Sequence, residues 1–369
     1  MKTRPPALPL LLRVLRDPRI AAGLDAAGWD LLLRQALGAD MTAILLVLLE
    51  DAGLFEQVPE AARVHLEWAR TAGERHARAV RYEVLQIGRA LSGLGLPLIL
   101  LKGGAYAMAG LEAGRGRMFS DIDILVPKAQ LGEVEAALML HGWATTHQDA
   151  YDQRYYREWM HELPPMEHLR RGNVIDVHHA ILPETAAVRP DPAKLRAAAV
   201  ALPGLDAGMP PLQVLAPHDM VLHCAVHLFS EGEFSHGTRN LFDLHRLLLE
   251  FGRQDGFWDG LPARARELEL GRPLFYALRY CKDLLGTPVP DAVLRATAAD
   301  GPASPLRALM DSLFRRALLP AHPSCADAFA PLAHGMLYIR GNWLRMPFFM
   351  LARHLFHKAF LSPDAKPAH

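Results

Sequence analysis

Apolar residues in the first 95 positions of the chain recur at helical spacing. The clearest helical face repeats at intervals of four, three, four and three positions and consists of Val80, Val84, Ile87, Leu91 and Leu94. Glycines and a proline follow this stripe directly, as is typical after the end of a helix. The pattern predicts an N-terminal helical region over residues 1–95.

The pattern changes at about residue 96, where short apolar runs replace the long helical repeats. Such runs are too short for helices and favour buried strands, which we expect at 98–101, 121–126 and 173–178. Short helices are predicted at 105–110 and 129–141. An aromatic and charged stretch around Tyr155 and Trp159 is expected to be a further strand. These elements predict a small α/β unit over residues 96–182.

Several prolines and little periodicity mark residues 183–217, which we interpret as a connection between parts. Beyond it the apolar spacing is helical throughout. The predicted helices are 218–230, 238–252, 263–285, 304–318 and 340–361. The expected fold class is therefore α+β, with N-terminal helices, a sheet-containing core and a C-terminal helical domain over 183–369.

Composition limits the classes of function. The 369 residues include 40 basic and 40 acidic side chains, so the formal net charge is zero. This balance disfavours a broadly basic nucleic-acid binder, because strong non-specific binding to nucleic acid usually depends on a basic excess. Hydrophobic residues make up 51% of the chain, which excludes disorder over most of its length.

Cysteine usage and hydropathy bear on location. The three cysteines, Cys224, Cys281 and Cys325, are far apart and form no Cys-x-x-Cys pair, which argues against a disulfide framework and a cysteine-based zinc site. Reduced thiols fit a cytosolic protein. No apolar run approaches the ~18 residues of a membrane span. We therefore expect a cytoplasmic protein without a transmembrane segment.

Candidate chemistry begins with an acidic pair on a predicted strand. Asp121 and Asp123 alternate, so both side chains leave the same face, while the isoleucines between and after them point into the core. Two adjacent carboxylates repel each other, and a hard divalent cation such as Mg²⁺ would offset that cost. Asp176 lies in the middle of another predicted strand. If the strands are neighbours, three carboxylates form a plausible two-metal site for phosphoryl or nucleotidyl transfer.

A glycine pair follows the first predicted strand and opens a short helix. The backbone N–H groups of Gly103 and Gly104, without side chains in the way, are suited to hold a phosphate. Lys102 and Arg117 could neutralise the rest of a triphosphate.

These segments together resemble a known family. Leu-Leu-Lys-Gly-Gly at 100–104, Arg-Met-Phe-Ser-Asp-Ile-Asp-Ile-Leu-Val at 117–126 and Val-Ile-Asp-Val-His at 174–178 look like the uncharacterised bacterial branch of the DNA polymerase beta-type nucleotidyltransferases. The resemblance covers roughly residues 80–250. It implies a minimal nucleotidyltransferase fold, a small mixed β-sheet with flanking helices. It also implies Mg²⁺-dependent transfer of a nucleoside monophosphate from a nucleoside triphosphate.

The resemblance also assigns site residues. Asp121, Asp123 and Asp176 would be the catalytic residues and would bind metal, with two Mg²⁺ ions expected, and Gly103 and Gly104 would contact phosphate. The predicted nucleotide-binding set consists of Lys102, Gly103, Gly104, Arg117 and Ser120. The chain departs from the wider superfamily in having Ala105 where serine is usual. It also places 16 residues between Gly104 and Asp121, a longer spacing than is common there.

Alternatives to this interpretation remain open. A metal-dependent glycosyltransferase also uses an Asp-x-Asp pair, to hold a sugar nucleotide, although the Lys-Gly-Gly element and a third acid do not belong to that pattern. A nucleotide-binding or partner-binding module without catalysis is a third hypothesis. The acceptor could be a small molecule, a protein side chain or a nucleic-acid end, and the zero net charge disfavours the last.

Two further features have a structural and a functional interpretation. Histidines at 178, 179, 218, 223 and 227 are candidate metal ligands; His223 and His227 have zinc-like spacing, but no glutamate adjoins His223. His218-Asp219 is similar to the His-Asp phosphohydrolases, and we expect these histidines to be structural. The basic and apolar residues of the predicted helix 340–361 could lie on a membrane, whereas docking on the domain is the commoner arrangement.

Overall fold

The computed structural model describes residues 8–146, 150–203 and 209–347, and these contain the expected N-terminal helices. The first four helices are α1 (Leu10–Arg16), α2 (Ala26–Gly38), α3 (Thr42–Asp51) and α4 (Glu60–Leu91). The predicted face of α4 is buried at Val80, Val84, Ile87 and Leu91, as the spacing requires. The chain then turns at Gly95, whose φ of 67° lies in the left-handed region that favours glycine.

The described residues form one mixed sheet of seven strands. The strands are β1 (Leu98–Leu100), β2 (Asp121–Leu125), β3 (Trp143–Thr145), β4 (Met166–His168), β5 (Val174–His178), β6 (Val200–Ala201) and β7 (Leu212–Val214). Their order across the sheet is β3-β4-β5-β2-β1-β7-β6. The pairs β2/β5 and β1/β7 are parallel, and the other neighbours are antiparallel. The predicted α+β class and the three predicted strands are therefore confirmed.

Helices surround this sheet and continue to the C-terminal part. Those in the middle of the chain are α5 (Lys102–Met108), α6 (Leu131–Leu140), α7 (Ala150–Arg154) and α8 (Pro192–Ala197). The later helices are α9 (Pro217–Ser230), α10 (Gly237–Phe251), α11 (Phe257–Glu267), α12 (Gly271–Leu285), α13 (Asp291–Thr297), α14 (Ser304–Ala317) and α15 (Ala330–Arg345). Helix α5 packs on β1, β2 and α9, and one hydrophobic core runs from the first helices through the sheet to α15.

Several predicted elements need correction. The stretch around Tyr155 and Trp159 is a π-helical turn that continues α7, with a hydrogen bond from Met160 N to Tyr155 O at 3.1 Å. The Arg154–Glu158 ion pair and the Tyr155–Trp159 ring contact join residues four apart, which fits a helix and not a strand. The interval 183–217 is more than a connection, since it contains α8, β6 and β7. Strand β7 has only three residues, too few to show a period.

The predicted helix 263–285 is two helices. The chain breaks between α11 and α12 at Glu269, whose φ of 61° is incompatible with a continuous helix. The last predicted helix, 340–361, begins earlier, at Ala330, and ends at Arg345. Residues 348–361, which carried the membrane hypothesis, lie outside the described residues. No helix in the described ranges is long and apolar enough to cross a membrane.

Candidate active site

The pairing of β2 with β5 brings the predicted acids together. The two strands are parallel, and Asp123 lies directly opposite Asp176 in the register. Asp121 precedes Asp123 on the same face of β2, at the partly exposed end of the strand. The sequence predicted that each acid lies on a strand, and the structure shows that the strands are adjacent.

Asp123 is buried, and one of its carboxylate oxygens contacts both Lys102 and His178. Its Oδ1 atom accepts hydrogen bonds from Lys102 Nζ at 3.0 Å and from His178 Nε2 at 2.8 Å. Burial alone would favour the neutral acid, but the charges of Lys102 and His178 outweigh it and hold the pKa of Asp123 well below its usual range. Asp123 is therefore a carboxylate with a fixed orientation.

Asp176 lies opposite Asp123 on the neighbouring strand but has a different electrostatic environment. Its Oδ1 atom is enclosed and has no hydrogen-bond partner among the described residues. Burial, followed by the negative charges of Asp123 and Glu162, raises the pKa of Asp176 to about 8. An enclosed carboxyl oxygen without a hydrogen-bond partner destabilises the folded protein. A positively charged group bound beside Asp176 would remove this cost.

The donor set fits a hard divalent cation. Asp123, Asp176 and His178 each place one ligand atom within 4.8 Å of the other two. Carboxylate oxygens are the ligands that Mg²⁺ prefers, and the unpartnered oxygen of Asp176 is the atom that a cation would satisfy. Asp121 adds a third carboxylate at the open end of β2.

Sequence reasoning gave no role to the carboxylate beyond His178. The Nδ1 atom of His178 lies 3.1 Å from Glu162 Oε2, and residues 162 and 178 form an isolated β-bridge. Burial opposes a charge on His178, but Glu162 and Asp123 raise its pKa above the ordinary value. The alternation that aligned Asp121 with Asp123 also aligns Asp176 with His178, so the sequence contained a signal for the histidine but none for Glu162.

Arg117 is also held by a residue to which the sequence gave no role in the site. Its guanidinium is buried and donates from Nε to Asp243 Oδ2 of α10 at 2.7 Å. Its Nη1 atom has no partner among the described residues and lies against Gly103, where a Cβ would come within 2.2 Å of it. Gly103 thus makes room for Arg117, and the predicted contact of these residues with phosphate remains a prediction.

The other members of the predicted nucleotide-binding set lie nearby. Lys102 has a φ of 44°, uncommon for a residue with a side chain. Burial opposes its charge, but Asp123, Glu231 and Asp121 raise the pKa of Lys102. Ser120 Oγ donates to Asp121 Oδ1 at 3.3 Å, and Gly104 is buried in the first turn of α5.

A cleft of about 990 Å³ opens in front of Asp121 and Asp123. Lys102, Gly103, Arg117, Asp121 and Asp123 line one side of it. The N-terminal helices supply the other side, with lining residues that include Leu33, Arg34, Leu37, His65, Trp68 and Ala72. The sequence had given these helices no part in the site, because nothing in a helical repeat shows which element it packs against.

Three of the other histidines singled out in the sequence are buried or have protein partners, and one of them, His227, also lines the cleft. His218 is within hydrogen-bonding distance of the Phe257 carbonyl oxygen, and His227 of Glu231. Burial lowers the pKa of His223 to about 3, so this ring is neutral. In the described ranges, neither of the groups able to hold a metal includes His218, His223 or His227.

Comparison with known proteins assigns the family. No curated protein and no solved structure matched the chain. A family model described as uncharacterised nucleotidyltransferase matches residues 25–286, which include the N-terminal wall of the cleft, the sheet and helices α9 to α12. The chain belongs to this uncharacterised nucleotidyltransferase family and is an enzyme that transfers phosphorus-containing groups.

Proposed function

We propose that the enzyme transfers a nucleoside monophosphate from a nucleoside triphosphate to an acceptor hydroxyl, in a Mg²⁺-dependent reaction that releases pyrophosphate. The observation that carries this proposal is the pairing of Asp123 with Asp176 across β2 and β5, with one enclosed Asp176 oxygen unsatisfied. A structural pair of acids would be compensated by the protein itself. Here a proton or a bound cation must offset the second acid, and we propose that the cation does so in the working enzyme.

The bond changes define what the residues must do. The acceptor oxygen forms a bond to the α-phosphorus, the bond from that phosphorus to the bridging oxygen breaks, and pyrophosphate leaves with the electron pair. The acceptor hydroxyl gives up its proton, which the Asp176 carboxylate accepts. Lys102 keeps Asp123 ionised and oriented, and the unpartnered Nη1 of Arg117 can contribute positive charge to the phosphates.

Asp121, Asp123 and Asp176 would hold the two expected Mg²⁺ ions. When bound, these ions supply Lewis-acid stabilisation of the charge that develops on the phosphate oxygens. The buried Lys102–Asp123 contact holds one of these carboxylates in place before substrate arrives.

The cleft supports a small-molecule or protein acceptor over a nucleic acid. Its volume of about 990 Å³ is at the upper end of small-molecule sites and leaves room for a nucleotide together with a second substrate. Its helical wall combines apolar side chains such as Leu33, Leu37 and Trp68 with few cations. Strong backbone binding to nucleic acid would require a denser array of lysine and arginine.

The test is pyrophosphate release with a panel of nucleoside triphosphates and Mg²⁺. We expect Asp121→Asn and Asp123→Asn to lower turnover at least about 1,000-fold, equivalent to roughly 4 kcal/mol of transition-state stabilisation. Asp255→Asn, at an exposed loop position, is the matched control and should retain full activity. Turnover that survives both site substitutions would refute the proposal.

The glycosyltransferase hypothesis is tested in the same assay. A sugar nucleotide offered in place of the triphosphate should give no transfer of sugar. The family assignment favours nucleotidyl transfer, and it also disfavours a binding module without catalysis.

A further inference from the structure

A second group of metal-ligating side chains lies beside the acids, where residues 161–163 run along the end of β5. His161, Glu162 and His178 each place one ligand atom within 4.8 Å of the other two. Backbone hydrogen bonds fix this segment, from His179 N to His161 O at 2.8 Å and from Leu163 N to Val177 O at 2.9 Å. The three side chains are therefore supported by sheet-like pairing.

His161 is the unexplained member of this group. The residue is only 7% exposed, and its Nδ1 atom has no hydrogen-bond partner among the described residues. Leaving a buried polar atom without a partner destabilises the folded protein. Burial, reinforced by the neighbouring His178, lowers the pKa of His161 well below the ordinary value. The ring is therefore neutral, which is the form that binds metals.

We propose that His161, Glu162 and His178 form a Zn²⁺ site separate from the carboxylate site proposed for Mg²⁺. Two imidazoles and one carboxylate make a set of three protein ligands that leaves the fourth position of tetrahedral zinc open. Imidazole nitrogen suits zinc, whereas Mg²⁺ prefers oxygen, so the donor chemistry distinguishes the two neighbouring sites.

The two sites share His178, which gives the zinc a role. Zinc would take the place of the proton at His178 Nδ1, beside Glu162, while the other ring nitrogen keeps its proton and donates to Asp123 Oδ1 at 2.8 Å. A bound metal would thereby fix the tautomer and orientation of the histidine that holds Asp123. His161 and Glu162 are then positioning residues that act on Asp123 through His178.

The test measures Zn²⁺ binding to the metal-free full-length protein by calorimetry, with Co²⁺ as a spectroscopic probe. We expect one high-affinity Zn²⁺ per chain. Bound Co²⁺ should give a visible absorption spectrum typical of an ion with a low coordination number. His161→Ala and Glu162→Gln should each weaken binding at least about tenfold, since loss of even an indirect partner of a metal ligand costs about 10- to 100-fold.

Two control variants separate this site from other metal binding. His65→Ala removes an exposed histidine that lines the cleft and should leave zinc affinity unchanged. Asp176→Asn removes a carboxylate of the Mg²⁺ site and should also leave it unchanged. Circular dichroism shows whether His161→Ala folds. If it does not, Glu162→Gln decides the question, because the Glu162 side chain is 17% exposed and its amide replacement is sterically conservative.

Four results would overturn the proposal. The first is wild-type protein that takes up no zinc. The second is a folded His161→Ala or Glu162→Gln variant with wild-type affinity. The third is zinc binding that disappears with His65→Ala, which would indicate adventitious binding at the surface. The fourth is an equal loss in Asp176→Asn, which would show that the carboxylates, and not the imidazoles, bind the ion.

Discussion

Asp176 in the sheet and Asp219 in α9 are both enclosed carboxylates, but their partners differ. Both oxygens of Asp219 accept hydrogen bonds from Arg264, at 2.7 Å from Nε and 2.8 Å from Nη2, and the Asp219 side chain is 1% exposed. Asp176 has an enclosed oxygen without a partner. The helical region therefore balances its buried carboxylate with an arginine, whereas in the sheet Asp176 needs either a proton or a bound cation.

The largest effect on stability should come from breaking the balanced pair. Asp219→Asn is expected to lower the free energy of unfolding by about 3 kcal/mol, the lower end for a disrupted buried ion pair, because Arg264 also contacts Glu267. Urea denaturation measures this loss. Pyrophosphate release per folded molecule should not change, and a parallel loss of turnover would show that the helical region takes part in catalysis.

Binding of Mg²⁺ at the site of Asp176 should change the free energy of unfolding by a similar amount. Mg²⁺ at about a hundred times its Kd is expected to raise the free energy of unfolding of the wild-type protein by about 2.7 kcal/mol. Asp176→Asn should lose this increment, and Asp219→Asn should retain it. Thermal unfolding with and without Mg²⁺ makes the comparison, and an equal increment in both variants would contradict a metal site at Asp176.

Without metal, the same asparagine substitution should stabilise the protein. The pKa of Asp176 is raised to about 8 in the folded chain from an ordinary 3.8, so the folded state retains a proton that the unfolded chain releases. The stability that depends on this proton is complete below pH 3.8 and declines as the pH rises towards 8. Asp176→Asn has no such loss and should be more stable than wild type at high pH by about 2 kcal/mol.

Unfolding free energies of both proteins in chelator-treated buffer, between acid and alkaline pH, measure that difference. It should shrink towards zero as the pH falls. An Asp176→Asn variant that is less stable than wild type at every pH would contradict this prediction, because it would show that the Asp176 carboxylate makes a stabilising contact in the dissolved protein.

The smallest effect is expected at His218, next to Asp219 in sequence. His218→Ala removes one side-chain contact to the Phe257 carbonyl oxygen and should cost about 1 kcal/mol. Turnover and metal affinity should be unaffected, as the structural interpretation of the His218-Asp219 pair requires. Activity measured beside urea denaturation checks both expectations, and a hundredfold loss of turnover would restore the phosphohydrolase hypothesis.

The acidic strand shows how far local pattern reaches. Alternation alone placed Asp121 and Asp123 on one face of a strand and Ile122 on the other. The apolar face of α4 was likewise predicted from residue spacing within a single helix. These predictions succeeded because side-chain direction follows directly from the helical or extended period.

Arg117 and Asp243 show where local pattern stops. The two residues are 126 positions apart, and their 2.7 Å contact forms only when α10 packs beside the sheet. The same holds for β7, whose three residues join the sheet through pairing with β1, and for the N-terminal helices that wall the cleft. No periodicity encodes such partners, since they depend on how separate elements pack.

The sequence by itself determined the chemistry that is available: three acids on strands, a glycine pair before them, and the approximate bounds of several helices, among them α9, α10 and α14. Tertiary structure decided how those acids differ. The parallel register sets Asp123 opposite Asp176. Packing then places Lys102 and His178 against Asp123, while one oxygen of Asp176 has no hydrogen-bond partner among the described residues. Charge on a buried carboxylate is governed by neighbours within a few ångströms, and the chain brings those neighbours from distant positions only when it folds.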